Sequence, residues 1–170
     1  PEDTNMKKLY SCLIFGEGKR DKKFIIALIE STKFKYHTRK WTFNTDNAHG
    51  CSAKNILKRC QKATYGKDYD LVICLIDLDD LKSDFPKKWE REKSRLEHDY
   101  PDIKIIWQIN NAEEEYTKVL GAQCKGKEKN ELNKMAINNI EMFVNKKFYE
   151  TILSKILDKE RALETKKISI

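Results

Sequence analysis

The sequence predicts an α/β protein: a mainly parallel sheet of about four strands flanked by helices, followed by a C-terminal helical extension. Three observations predict it. Four strand-like segments, at 9–15, 33–43, 71–76 and 103–109, are separated by stretches long enough for crossover helices. The third, LVICLI, carries no charge, as suits a strand buried on both faces of a parallel sheet. Beyond residue 120 only helical periodicity remains.

Taken in order, LYSCLIF at 9–15 is a first strand ending at GEGKRD. A helix from about Asp21 to Glu30 then lines up Phe24, Ile25, Leu28 and Ile29 on one stripe. KFKYHTRKWTF at 33–43 alternates well enough for a second strand, and Asn44 to Gly50 is a turn cluster. Ser52 is the N-cap of a helix carrying Ile56, Leu57 and Cys60, which Gly66 ends. LVICLI meets Asp77, Asp79 and Asp80 at its tip; a polar surface helix comes next, from Phe85 to His98, with Pro86 in its first turn. IKIIWQI at 103–109 is the fourth strand, and NNAEEEYTKVL opens another helix. After GAQCKGKEK come two more helices. The last, around 146–163, repeats Phe148, Ile152, Leu153, Ile156 and Leu157 and should dock on a core or a partner. The expected division is 8–120 as the catalytic unit and 121–165 as a helical extension packed on it.

At 170 residues the chain is expected to be one domain with a core of its own. Its net charge of +7 suits a polyanionic partner. No segment has the ~20 apolar residues of a membrane span, and no signal-peptide pattern opens the chain, so a cytoplasmic protein away from membranes is expected. PEDTN before Met6 reads as a disordered lead-in or a cloning remnant. Cys12, Cys51, Cys60, Cys74 and Cys124 are odd in number and scattered, with no zinc-type spacing, which points to free thiols in a reducing compartment. His49, beside Gly50, is a turn residue.

In open parallel sheets ligands bind outside the carboxyl ends of the strands. Glu17, the Asp77/Asp79 pair and Glu113 to Glu115 all fall just past such ends. If the third strand runs on, Asp77 and Asp79 share a face, and a carboxylate from a neighbouring tip completes a hard oxygen site for Mg²⁺ or Mn²⁺. Asp80 would face the other way or cap the succeeding segment. Lys19 and Arg20 adjoin the GEG turn and could touch phosphate, or are simply exposed. Lys33, Lys35, His37 and Arg39 would give the second strand a basic edge, able to track a phosphate backbone or to block edge pairing. Lys125, Lys127 and Lys129 read as solvated loop charge.

The order strand, Glu17-Gly18 with Asp21, then strand and Asp77-Leu78-Asp79, resembles the TOPRIM domain over about residues 8–120. The pattern is most similar to stand-alone OLD-type and RloB-type defence nucleases. The resemblance implies that Glu17, Asp77 and Asp79 hold Mg²⁺, that Glu17 also works as general acid or base, and that a further Glu binds metal. Glu114, two residues before Tyr116, is the best match, with Glu113 and Glu115 as alternatives. It also implies an endonuclease hydrolysing DNA or RNA in anti-phage defence, with an ATPase partner, since the chain has no GxxxxGK[ST] loop of its own; the apolar stripe of the C-terminal helix offers a docking surface for such a partner or a second copy. The usual glycine after the Asp pair is replaced by Leu81-Lys82-Ser83, so a catalytically silent TOPRIM-like interaction module is the alternative. A glycosyltransferase or phosphatase use of the DxD is disfavoured by its context.

Overall fold

Alternate side chains of the two central strands enter different cores, which is why neither strand carries charge before its last residue. These strands are β1 (Tyr10–Gly16) and β3 (Leu71–Asp77). With β2 (Trp41–Asn47) and β4 (Lys104–Gln108) they form a four-stranded, wholly parallel sheet of order β2-β1-β3-β4. The computed structural model describes residues 7–108, 112–144 and 146–168. The PEDTN lead-in, Ile109 at the expected strand end and Asn110 and Asn111 at the expected helix start lie outside them, as does the Phe148 side chain.

On one face Cys12, Ile14, Ile73 and Leu75 pack against α1 (Lys19–Glu30), α2 (Thr32–His37) and the C-terminal α8 (Lys147–Ile168), through Ile25, Leu28, Phe34, Tyr149, Ile152 and Ile156. On the other, Leu13, Phe15, Cys74 and Ile76 meet α3 (Ala53–Ala63), α4 (Leu78–Asp84) and α5 (Trp89–Asp99). A third cluster joins Phe24 of α1 to Tyr116 of α6 (Ala112–Leu120), to Leu132 and Ala136 of α7 (Lys129–Asn138), and to Phe143. The C-terminal helix therefore covers part of the main sheet. Each of Ile152 and Ile156, both fully buried, contributes about 1.5–3 kcal/mol to that docking. Polar contacts at its far end add orientation: Trp41 Nε1 donates to Glu160 at 3.0 Å, Lys40 pairs with Glu164 at 2.8 Å, and Lys167 donates to the Tyr10 hydroxyl at 3.1 Å.

Two expected elements are placed differently. Residues 33–43 are not one strand: Thr32–His37 is helical and the strand runs from Trp41 to Asn47, through most of the expected turn cluster. Phe34 is the reason, because as the one fully buried side chain of α2 it fixes a single helical turn on the core. The polar tail of β2 is held by backbone pairing with β1, up to Gly16 opposite Asn47, rather than by apolar side chains. The helix expected from Phe85 to His98 starts at Trp89, leaving Pro86 in the preceding turn, and a separate short helix, α4, succeeds β3 directly. All five cysteines are free, and no helix among the described residues is long and apolar enough to cross a membrane.

Candidate metal centre

The carboxyl ends of β1 and β3 lie side by side, so Glu17 and Asp77 are brought together by strand pairing alone. Glu17 Oε1 accepts the Asp77 backbone N–H at 2.8 Å, which fixes its side chain across the gap. The chain approaches closely here. A Cβ on Gly16 would lie 2.8 Å from the Asp21 Cβ, so only glycine leaves room for α1 to start where it does. Gly18 meets no such crowding, and its φ of −151° is extended backbone open to any residue. Asp21 returns from the first turn of α1 to accept the Gly18 N–H at 3.1 Å.

After Asp77 the chain turns at once into α4, because Leu78 and Leu81, three apart, both bury against the core. Helical rotation then swings Asp80, not Asp79, towards the strand tips. Ligand oxygens of Glu17, Asp77 and Asp80 lie within 4.8 Å of one another. Asp79 stays on the wall of the same cavity, which has a volume of about 510 Å³ and is also lined by Lys19, Arg20, Asp21, Gly50, Glu113, Lys129 and Asn130. Of the three α6 glutamates, Glu113 lines it, while Glu114 is exposed and outside its wall.

Burial and mutual repulsion act on these carboxyls in the same direction. Burial, followed by the charges of Glu17 and Asp21, pushes Asp77 from 3.8 up to about 8. Burial pushes Glu17 up to about 7, with the Asp77 N–H opposing and the charge of Asp80 adding to the rise. Asp21 and Asp80 are raised as well, chiefly by burial. Asp77 Oδ1 is buried and has no hydrogen-bond partner among the described residues. A buried carboxylate oxygen without a partner among the described residues, facing two more carboxylates, makes an all-oxygen donor set that could hold a metal ion.

Cations fringe the cavity. Lys19 and Arg20 open α1, and Arg20 is positioned from both ends: its Nη1 donates to Asn130 at 3.4 Å, and its carbonyl accepts from Asn133 Nδ2 at 2.9 Å. Lys129, expected as solvated loop charge, opens α7 and faces the same cavity. Lys35 and Arg39 are not brought here. They line a separate cavity of about 600 Å³ near the starts of β1 and β2, where Lys35 pairs with Glu30 at 2.7 Å and Arg39 lies 4.4 Å from the Tyr36 ring centroid. That cavity is the larger, but its one carboxylate, Glu30, already has a partner. The sequence held a signal for Asp80 in the Leu78/Leu81 spacing; it held none for Lys129, whose placement depends on α7 packing against α1.

No protein-family model and no curated protein matches the chain. Among solved structures it is similar to the C-terminal region of the Xanthomonas campestris pv. campestris OLD protein, at 11% identity and a TM-score of 0.36, over 88% of this chain and 81% of that one.

Proposed function

We propose that this chain is a divalent-cation-dependent nuclease with a TOPRIM-like catalytic unit, residues 8–120, buttressed by the helices of 121–165. The observation that carries the reading is the Glu17, Asp77 and Asp80 triad at the carboxyl edge of the sheet, with Asp77 Oδ1 buried and unpartnered among the described residues and Lys19, Arg20 and Lys129 around the rim. Carboxylates alone would repel a phosphodiester; this fringe of cations draws one in.

Glu17, Asp77 and Asp80 would hold Mg²⁺ or Mn²⁺, with Asp79 and Glu113 in reserve on the cavity wall; Glu114, the sequence-based choice, lies outside that wall. Bound there, the cation would polarise the scissile phosphate and lower the pKa of water. Glu17, its carboxylate held in place by the Asp77 N–H, would serve either as a ligand of that cation or as the general base towards the attacking water. Lys19, Arg20 and Lys129 position the non-bridging phosphate oxygens. The cytoplasm suits five free thiols. We keep anti-phage defence as the setting, with an ATPase or a second copy as partner.

The test is incubation with plasmid DNA, single-stranded DNA, tRNA and ribosomal RNA in Mg²⁺, Mn²⁺ or EDTA, beside Asp77→Ala and Glu17→Gln proteins. Metal-dependent cleavage, lost with Asp77→Ala and slowed ~10²–10⁴-fold by Glu17→Gln, is expected. Mn²⁺ binding without cleavage of any substrate would favour the silent interaction module. A protein that shows neither metal binding nor cleavage would overturn the metal site itself.

A further inference from the structure

Helix α3 carries Lys54, Lys58, Arg59 and Lys62 and no carboxylate. It is the one described helix of eight residues or more without an acidic residue, and it supplies four of the seven charges by which cations exceed anions in the chain. All four side chains are exposed, and none has an ion-pair partner among the described residues. Its opposite face, Ala53, Ile56, Leu57 and Cys60, is fully committed to the core.

Helix stability does not explain such a face. Lys54, Lys58 and Lys62 repeat at i, i+4 and i+8, a row in which like charges repel. Lys54 also lies in the first turn, at the positive end of the helix dipole. Solubility would be served by mixed charge, as on α5, where Lys93, Arg95, Glu92, Glu97 and Asp99 pair with one another. The row is about 12 Å long, eight residues at ~1.5 Å each. At ~3.4 Å of axis per phosphate on one strand of a duplex, that length matches three to four phosphates.

Its place in the fold matters as much as its charge. Gly50, which lines the acidic cavity, donates its N–H to the Glu17 carbonyl at 3.3 Å. Ser52 caps α3 two residues later, so Lys54 lies within ~14 Å of Gly50 by chain length alone. The row thus starts beside the cavity and leads away from it.

We propose that the exposed face of α3 is the track on which the phosphate backbone of a nucleic acid lies as it leaves the acidic cavity. This rests on the nuclease reading of that cavity and adds where the substrate runs: over α3, not past Lys35 and Arg39.

The experiment uses the full chain in EDTA, which prevents cleavage, and fluorescence anisotropy of a labelled 20-mer DNA duplex between 50 and 300 mM KCl. Wild type is compared with K54Q/K58Q/R59Q/K62Q and with K87Q/K88Q/K155Q/K166Q, which removes equal charge elsewhere. The α3 variant should lose about 3 units from the slope of log K against log salt, at ~0.9 per phosphate contact, and the control variant less than 1. Its melting temperature and Mn²⁺ affinity should match wild type, which separates lost contacts from lost folding. An unchanged slope in the α3 variant, or equal losses in both variants, overturns the track and leaves the nuclease reading standing if wild type still cleaves. A wild-type chain that binds anionic vesicles but no nucleic acid overturns both.

Discussion

Replacing Asp77 by Asn should stabilise the metal-free protein, and the gain should depend on pH. In the fold the Asp77 carboxyl is pushed from 3.8 to about 8. Below about pH 4 folded and unfolded chains both hold the proton, and the side chain costs nothing. Between pH 4 and pH 8 the unfolded chain ionises freely, while the fold must keep the proton or bear a confined charge, so stability is lost as pH rises. At ~1.4 kcal/mol per pH unit the full span is worth ~5–6 kcal/mol. Water reaching a half-buried group, and the ionisation it shares with Glu17, reduce this to ~2 kcal/mol. For a chain of this size, ~2–4 °C per kcal/mol converts that to a gain of ~4–8 °C at pH 8. Thermal denaturation followed by circular dichroism in EDTA, at pH 4.5, 6 and 8, should show the variant near wild type at the first pH and ahead at the last. Adding Mn²⁺ at ~100 times its Kd should then stabilise wild type by ~2.7 kcal/mol and leave the variant unmoved. A variant no more stable than wild type at pH 8 in EDTA would refute the picture of carboxylates held together at a cost.

Asp80→Asn should weaken Mn²⁺ binding at least ~10-fold, and Asp79→Asn by less, because only Asp80 joins the triad; calorimetric titration of both variants decides, and the reverse order would restore the Asp77/Asp79 pairing. Ile156→Ala should cost ~2–4 kcal/mol in urea denaturation, since the side chain is fully buried between α8 and the sheet. A loss below ~1 kcal/mol would mean that α8 docks loosely. Ser52→Ala should cost about 0.5–1 kcal/mol through loss of the cap that accepts the Asn55 N–H at 3.4 Å, measured by the same unfolding curves.

Three strands and the acidic rim were legible because LYSCLIF, LVICLI and IKIIWQI are bounded apolar runs, and carboxylates come directly after them. Strand β2 was not. Its second half, Asn44 to Asn47, is polar because an edge strand needs only one backbone neighbour, and its apparent first half alternates in a way that a single helical turn around Phe34 also satisfies. At the site, Glu17 and Asp77 are set by strand ends, but which carboxylate joins them depends on whether the chain after Asp77 continues by 180° or by 100° per residue. Leu78 and Leu81 settle that in favour of helix and so bring Asp80, rather than Asp79, within 4.8 Å of Glu17 and Asp77. The same rotation separates Glu113 from Glu114 on α6. Lys129 reaches the rim only through packing between elements far apart in sequence, as Asn133 bonding back to the Arg20 carbonyl shows.

The core shared by β1, β2 and α8 has a consequence for synthesis. Trp41 is almost fully buried, yet Ile152 and Ile156 on the same side of the sheet are made some 110 residues later. At ~5–20 residues per second the ribosome needs roughly 5–20 s to cover that distance. Until α8 is made, Cys12 and Ile14, and once synthesised Ile73 and Leu75, lack the cover of Tyr149, Ile152 and Ile156, so part of an apolar floor stands open to other nascent chains. Truncated or stalled products ending before α8 should therefore be the aggregating species in expression, while the acidic rim at the other end of the strands is already assembled.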